Sequence, residues 1–477
     1  MGRTAVSEAR PLKAGGELAL VIGGVALGFL LVLQPAFLSL AAAAVLVFVA
    51  IFKFDFFMYS MIAILPWYPL LDAKLPLTDI MLFLRCAMFG GVFVRVRGRG
   101  SVAEWLWGSR LKKAVLFFAF VLLASLLLSS LRTNLESYRS LRRLLGYLLV
   151  FYSVLGWMDG KARLEKVVRT ILCSTIAVAL FGFVQFLVGD YTDFYLRLYP
   201  FQEGVMEAWV GRITSFLYHY NSLAGYLNLV LPFALGVLVA LREGTLKWTG
   251  FFTLSLGLTA LVLTGSRGGM LAALGVFVLA VLKLAPRRVT LFWIVASMVL
   301  ALSVLLLLRE GAAGLQAYTG VERLQDVDEF TQLSRFALWG AAFLMFRSNM
   351  LIGTGYGTFR YLYNDYIPGI PGGQLDSHNF YLQTLAETGL IGFFAFFLML
   401  YGFFRRGYAL IREDDPVYRI VGIGVCGAIV GFLIHGFVDF LFIVSPQFGA
   451  MFWLVMALGL SAFENCTSGQ MPAATTV

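Results

Sequence analysis

The chain has 477 residues, of which 60% are hydrophobic, 15% aromatic and only 13% charged, whereas a soluble domain is about half apolar and a quarter charged. That composition excludes a large soluble domain and requires an integral membrane protein. The formal net charge is +10, but the lysines and arginines are dispersed among short loops, which argues against a nucleic-acid-binding face.

The first segment, "MGRTAVSEARPLKAGGE", is basic, and the apolar run after it is long and lacks a small-residue cleavage pattern. It predicts a cytoplasmic segment over residues 1–16 and a first transmembrane helix, with no removed signal. Val6 stands where myristoylation would need Ser or Thr, so lipidation is not implied. Apolar runs of roughly 20 residues, enough to cross a bilayer, predict spans at 17–34, 36–52, 54–71, 76–94, 112–130, 142–158, 166–188, 221–241, 248–265, 268–284, 289–308, 388–404, 418–440 and 446–462. The fold class is therefore an all-α polytopic membrane protein with about 12–14 transmembrane helices. Cys86, Cys173 and Cys426 lie within predicted spans and Cys466 in the tail, a placement that predicts no disulfide.

With the N-terminus in the cytoplasm, alternation puts "RVRGRGSVAEWLWGSRLKK", "DGKARLEK", "LREGTLK", "KLAPRRV" and "FRRGYALIREDD" on the cytoplasmic side, where Lys and Arg are retained. The opposite side carries two long segments, Gly189 to Tyr220 and Arg309 to about Glu387. The chain thus divides into N-terminal helices (17–188), a central region with the TGSRGG hairpin (189–308), a long extracytoplasmic loop (309–387), C-terminal helices (388–462) and a polar tail (463–477). Within that loop, Phe336, Trp339, Phe343 and Phe346 recur at helical spacing in "LSRFALWGAAFLMF", and "LIGTGYGTFRYLYNDY" follows as a glycine turn. This pattern predicts an amphipathic or re-entrant helix lying against the membrane surface, then a turn, then the Ser377-His378-Asn379 element.

The short hairpin "LTGSRGGML" places Ser266 and Arg267 at the outer boundary, with Ser266 able to cap the next helix. The helix N-terminus and the guanidinium together could hold an anion, or Arg267 could simply anchor the hairpin at the interface. Arg335, one turn before Trp339, and Arg212, in "GRITSFLYHYNSLAGYLNLVLPF", fall on the same side. Each could hold a phosphate or pair with an acidic neighbour. His378 in "DSHNFYLQTLAETGLIG" is one of only three histidines. It could take a proton from a hydroxyl if Asp376 or Glu387 held its tautomer, or it could cap a helix while Asn379 closed a turn. His219 reads as a headgroup or loop contact, and His435 is expected to pair with Asp439 one turn on. The three histidines have no zinc-ligand spacing.

"GRITSFLYHYNSLAGYLNLVLPF", "LVLTGSRGGMLAAL", "SRFALWGAAFLMF" with "LIGTGYGTF", and "DSHNFYLQTLAETGLIGFFAFF" occur in an order and spacing that resemble the O-antigen ligase/polymerase superfamily. That superfamily includes lipopolysaccharide O-antigen ligases and Wzy-type polymerases. The resemblance covers roughly Gln185 to Leu460, flanked by "FVQFLVG" and "HGFVDF". One departure is visible, since the family often has a proline just before the G-x-G turn and Met350 or its neighbours stand there.

The resemblance implies a GT-C-type glycosyltransferase bundle in a bacterial inner membrane. The donor would be a glycan on undecaprenyl diphosphate and the acceptor a lipid A-core or other glycan hydroxyl, with no metal or other cofactor. Arg267 and Arg335 would hold the diphosphate and His378 would activate the acceptor. Arg212, Ser266, Asn379, Asp376 and Glu387 would complete the substrate-binding set. Three rival readings remain. Asp326 and Asp328 in "LQDVDEF" form a D-x-D that elsewhere holds a divalent cation. Glycines and prolines in the spans, with Arg85 inside the fourth, could mark a transporter or flippase. A polymerase would use the same donor as a ligase.

Overall fold

The computed structural model describes residues 53–67, 80–129, 135–188, 212–217, 219–284, 329–368 and 375–470, with isolated positions at 295, 298 and 302. The spans expected at 17–34, 36–52 and 289–308 lie outside these residues. Each of the other expected spans coincides with a helix, and among the described residues there is no strand. The elements are α1 (Phe54–Ile64), α2 (Ile80–Arg99), α3 (Val102–Trp107), α4 (Arg110–Leu128), α5 (Leu135–Trp157), α6 (Lys161–Val188), α7 (Tyr220–Ala240) and α8 (Thr245–Leu263). There follow α9 (Arg267–Leu284), α10 (Glu329–Ser348), α11 (Phe359–Tyr366), α12 (Phe380–Ile411), α13 (Pro416–His435), α14 (Leu441–Val444) and α15 (Pro446–Gln470). Among the described residues, seven helices (α4, α6, α7, α8, α12, α13 and α15) are long and apolar enough to cross a membrane. The chain is a multi-pass all-helical membrane protein.

At the centre stands α7, buried along its whole length from Asn221 to Leu238. Its main partner is α13, and glycines set how closely the two approach. A side chain at Gly424 would meet the Phe233 ring, one at Gly427 would meet Pro232, and at Gly236 the backbone of Ile420 already fills the space. Without water between them, membrane helices rely on close van der Waals packing, and small residues permit it. Helix starts are marked by their caps: the Ser109 side chain accepts from Lys112 N, Asp415 from Val417 N ahead of Pro416, and Asn379 from Leu382 N.

Helix α4 ties the two ends of the bundle to the rest. At its start Lys112 pairs with Glu464 at 3.1 Å. At its end Ser125 Oγ donates to the carbonyls of Glu387 (2.7 Å) and Ile352 (3.0 Å). The chain therefore gathers the 352–387 region at one end and the loops rich in Lys and Arg at the other.

One expectation about the 309–387 segment is corrected. The helix expected at 388–404 begins at Phe380, because Asn379 caps it and Gly389, at φ 62°, lets two helical pieces join across a kink. The expected helix with Phe336, Trp339, Phe343 and Phe346 is present as α10. Leu338, Ala341, Ala342 and Met345 pack against Phe359, Tyr363 and Ala386 in a small second core. Phe336 and Phe343 point outward, 63% and 52% exposed. Alanines let α10 lie close to α11, and the bulky rings are left for an apolar surrounding.

Between α10 and α11, Gly353, Gly355 and Gly357 all have positive φ (69°, 121° and 80°), a region that favours glycine. A Cβ at Gly353 would overlap the backbone of Glu387, and one at Gly389 would overlap that of Leu351. Gly353→Ala and Gly389→Ala are each expected to destabilise the protein by at least about 1–3 kcal/mol. The check is a melting midpoint in detergent, where both variants should fall well below Gly98→Ala, whose site is open.

Candidate functional site

The site is built on a knuckle at Ser377-His378-Asn379. His378 is one of two described non-glycine residues at positive φ, 51°, a sparsely populated conformation that persists only where neighbours enforce it. Here Gln383 Oε1 accepts from Ser377 N (2.9 Å) and from Ser377 Oγ (3.1 Å), and Asn379 N donates to Ser377 Oγ (3.2 Å). Asn379 Nδ2 donates to Phe437 O (3.2 Å) and Phe380 N to Gly436 O (2.7 Å), which pins the knuckle to the end of α13. From the other side, Trp339 Nε1 donates to Ser377 O at 3.0 Å. That bond brings α10, with Arg335 one turn earlier, against the same knuckle.

The carboxylate beside His378 is that of Asp439, 3.5 Å from Nδ1. The two acids expected to orient His378 are engaged elsewhere. Asp376 pairs with Arg360 and accepts from Gln383 Nε2 at 3.1 Å. Glu387, buried, accepts from Gly357 N (2.9 Å), Phe359 N (3.1 Å) and Gln383 Nε2 (3.1 Å). The expected His435–Asp439 pair is corrected as well: Asp439 faces His378, and neither ring nitrogen of the buried His435 finds a hydrogen-bond partner among the described residues.

The three histidines nevertheless converge. Burial would raise the Asp439 carboxyl, but the imidazoles of His378, His435 and His219 outweigh it and hold the group well below the usual carboxylate range. His219 accepts from Asn221 N through Nδ1 at 3.1 Å, capping α7. Desolvation, with help from nearby His378, Arg212 and His435 and against the pull of Asp439, lowers its pKa to about 4.

Arg212 lies over the Tyr220 ring, 4.3 Å from the centroid, and its Nε is 3.3 Å from where a side chain on Gly265 would begin. Its segment is held by Gln185 Oε1, which accepts from Thr214 N and Ser215 N at 2.9 Å each. This gives a structural reason for the glutamine of "FVQFLVG". In the TGSRGG turn, Ser266 Oγ accepts from Gly269 N at 3.2 Å and Arg267 opens α9, exposed. Gly268 abuts Val438 and His435, so the turn sits beside the loop that carries Asp439. A chain of contacts thus joins Arg212, the Arg267 turn, His435, Asp439, His378 and α10 at one end of the bundle.

Sequence reading missed Gln383 as the hub between Ser377, Asp376 and Glu387. Its signal was there: 379, 383 and 387 are polar at helical spacing on an otherwise apolar helix. Among the described residues no three His, Cys, Asp or Glu side chains are arranged to hold a metal. Asp326 and Asp328 lie outside the described residues, as does most of the 189–220 segment.

Fold and site together define a multi-pass membrane protein with an arginine- and histidine-rich cluster at one end of an apolar bundle. Residues 252–397, which span the TGSRGG hairpin, α10, the glycine turn and the His378 knuckle, match the Wzy_C family, described as O-antigen ligase. The motifs that carry the superfamily resemblance in its second half therefore lie in the segment that this family model matches. The chain is also similar to the teichuronic acid biosynthesis protein TuaE of Bacillus subtilis (strain 168), 23% identical over 404 residues that cover 80% of this chain and 78% of that protein.

The lowered pKa of His219 makes a pH prediction. An unfolded histidine takes up its proton near pH 6.5, whereas folded His219 resists until about 4. Stability is therefore lost as pH falls from about 6.5 toward 4. Asp439, with its depressed pKa, adds a further loss only below the usual carboxylate range. His219→Asn keeps the cap without the titration, so its melting midpoint should fall less than that of the wild type between pH 7 and pH 5.

Proposed function

We propose that this protein transfers a glycan from a polyprenyl (undecaprenyl) diphosphate donor to an acceptor hydroxyl. It would act as an O-antigen ligase with a lipid A-core acceptor in the bacterial cytoplasmic membrane, its site facing the periplasm or outside. The observation that carries this reading is the convergence of Arg212, the Arg267 turn and the His378–Asp439 pair at one end of the bundle. That end lies opposite the loops rich in Lys and Arg, whose retention in the cytoplasm supports an outward-facing site.

In the proposed reaction His378, with the Asp439 carboxylate 3.5 Å from its Nδ1, accepts the acceptor's hydroxyl proton at Nε2. The acceptor oxygen bonds to the anomeric carbon as the carbon–oxygen bond to the diphosphate breaks. The electron pair leaves on a phosphate oxygen, where Arg267 and Arg335, with Arg212 beside them, stabilise the charge. Asp439 matches the positive charge that forms on His378, in the manner of an acid that supports a histidine base. A diphosphate needs no proton to depart, so base and anion clamp suffice. Attack opposite the leaving group inverts the anomeric centre, and the reaction is metal-independent.

A second reading is a polymerase that adds one lipid-linked repeat unit to another. The similarity to a teichuronic acid biosynthesis protein supports it, and the donor chemistry is unchanged.

The test is purified protein in detergent with a polyprenyl-diphosphate glycan and a candidate acceptor, with products resolved by mass spectrometry. Product is expected in excess chelator, and its formation without a sealed membrane separates catalysis from transport. His378→Ala should lower kcat by about 10²–10⁴-fold, and Arg267→Gln should lower kcat/KM by roughly 10²–10³-fold. A His378→Ala protein with full turnover would refute the assignment of the base. Single-step transfer to the acceptor marks a ligase, and a ladder of lengthening lipid-linked chains marks a polymerase.

A further inference from the structure

Two described residues other than glycine have positive φ, Ser215 at 50° and His378 at 51°. Each belongs to a bend that a buried glutamine holds through its side-chain oxygen. Gln383 serves the His378 knuckle, and Gln185, near the end of α6, serves the bend at Thr214-Ser215. The two bends are built alike, yet a catalytic consequence has been drawn for only one of them.

Gln185 is 8% exposed and stands among the buried rings of Phe181, Phe183 and Phe186. Both ends of its amide are engaged: Oε1 accepts from Thr214 N and Ser215 N at 2.9 Å each, and Nε2 donates to Thr214 Oγ1 at 3.3 Å. Ser215 Oγ donates to Val178 O at 2.8 Å, so α6 holds the bend at a second point. Beyond the bend, Phe216 stacks on Trp67 and on Phe181, with ring centroids 4.1 and 3.9 Å away. Non-helical backbone in an apolar bundle needs its N–H groups met by the protein, which accounts for a polar residue at 185. It does not account for a serine held at positive φ, a strain that persists where the surroundings fix a group in one place.

The group so fixed is Arg212. Ile213 N donates to Leu263 O at 3.2 Å, which fastens the segment to the end of α8, immediately before the TGSRGG turn. Arg212 then lies against Gly265, itself at φ 63°, where a Cβ would come 3.3 Å from its Nε. That Nε has no hydrogen-bond partner among the described residues. The bend therefore sets where Arg212 stands relative to the turn that carries Arg267.

We propose that Gln185 is a positioning residue of the arginine clamp: by holding the strained Ser215 bend it fixes Arg212 beside the Arg267 turn, as Gln383 fixes His378. It touches no reactant and acts through Arg212. The inference rests on the anion-binding role given to the arginines in the proposed function.

The test is a double-mutant cycle in the purified transfer assay, read as kcat/KM for the polyprenyl-diphosphate donor. Gln185→Leu should lower it roughly 10²-fold, the scale of a misplacement of about 1 Å. Gln185→Glu, which keeps an oxygen for both N–H groups, should recover most of that loss. In an Arg212→Gln background Gln185→Leu should cost less than about three-fold more, because the group it positions is already gone. Combined with Gln383→Leu, whose effect runs through His378, the two losses should multiply. Equal loss with and without Arg212 means that Gln185 serves the fold alone and overturns the proposal, as does full activity of either Gln185→Leu or Arg212→Gln. Should Gln185→Leu not fold, Ser215→Gly takes its place in the cycle, since it removes both the bond to Val178 O and the strain; a loss that persists without Arg212 overturns the proposal. A wild-type protein that makes no product defeats the donor reading and this proposal with it, whereas a wild type that turns over while the losses of Gln185→Leu and Arg212→Gln multiply defeats only the positioning role.

Discussion

The end of the bundle that carries His378 depends on one buried carboxylate. Glu387 is 1% exposed, and a charge or polar group so placed must find its hydrogen bonds within the protein. It finds them in the glycine turn, at Gly357 N and Phe359 N, and in Gln383. The turn answers with its own backbone, as Thr354 N donates to Ala386 O and Gly355 N to Glu387 O. The arm formed by α10, the turn and α11 is thereby joined to the broken start of α12. Gln383 extends the same network to Ser377 and Asp376, and Asp376 extends it to Arg360. The conformation of His378, held at positive φ, is the far end of a chain of bonds that begins at Glu387.

A second constraint is electrostatic. Asp439 is 4% exposed, yet it stays ionised because three imidazoles surround it. An isolated buried carboxylate would take up a proton instead. The same field acts in reverse on His219, whose neutral ring caps α7 and sits near Arg212. Near that neutral ring and Arg212 stands the Asp439 carboxylate, 3.5 Å from His378 Nδ1. In the proposed reaction the arginines would face the phosphate and this carboxylate the base.

The sequence made much of this legible, and the parts it hid share a cause. Span positions followed from apolar runs, and Ser266 and the glycine turn were readable because capping and positive φ are local properties with local signatures, whereas the cap of α12, offered to His378, is Asn379. The partner of His378 was not readable. Asp376 and Glu387 are near it in the chain, but the partner comes from the loop after α13, and only packing of α12 on α13 brings the two together. Gln383 could have been found from the 379, 383, 387 spacing, since polar residues on a buried face of an apolar helix need partners and usually have them in each other.

The position of the cluster at the end of the bundle, and not at its middle, follows from the same balance. Deep within the span the polar groups of α7 are already engaged, Asn228 with Gly269 O and Tyr226 with Thr175, and the contacts that hold it to α13 are glycine against ring and glycine against backbone. Nothing there could solvate a phosphate. At the end that carries His378 the helices stop in caps and turns, so backbone N–H groups, arginines and imidazoles are available together, and His378 keeps 31% of its side-chain surface exposed.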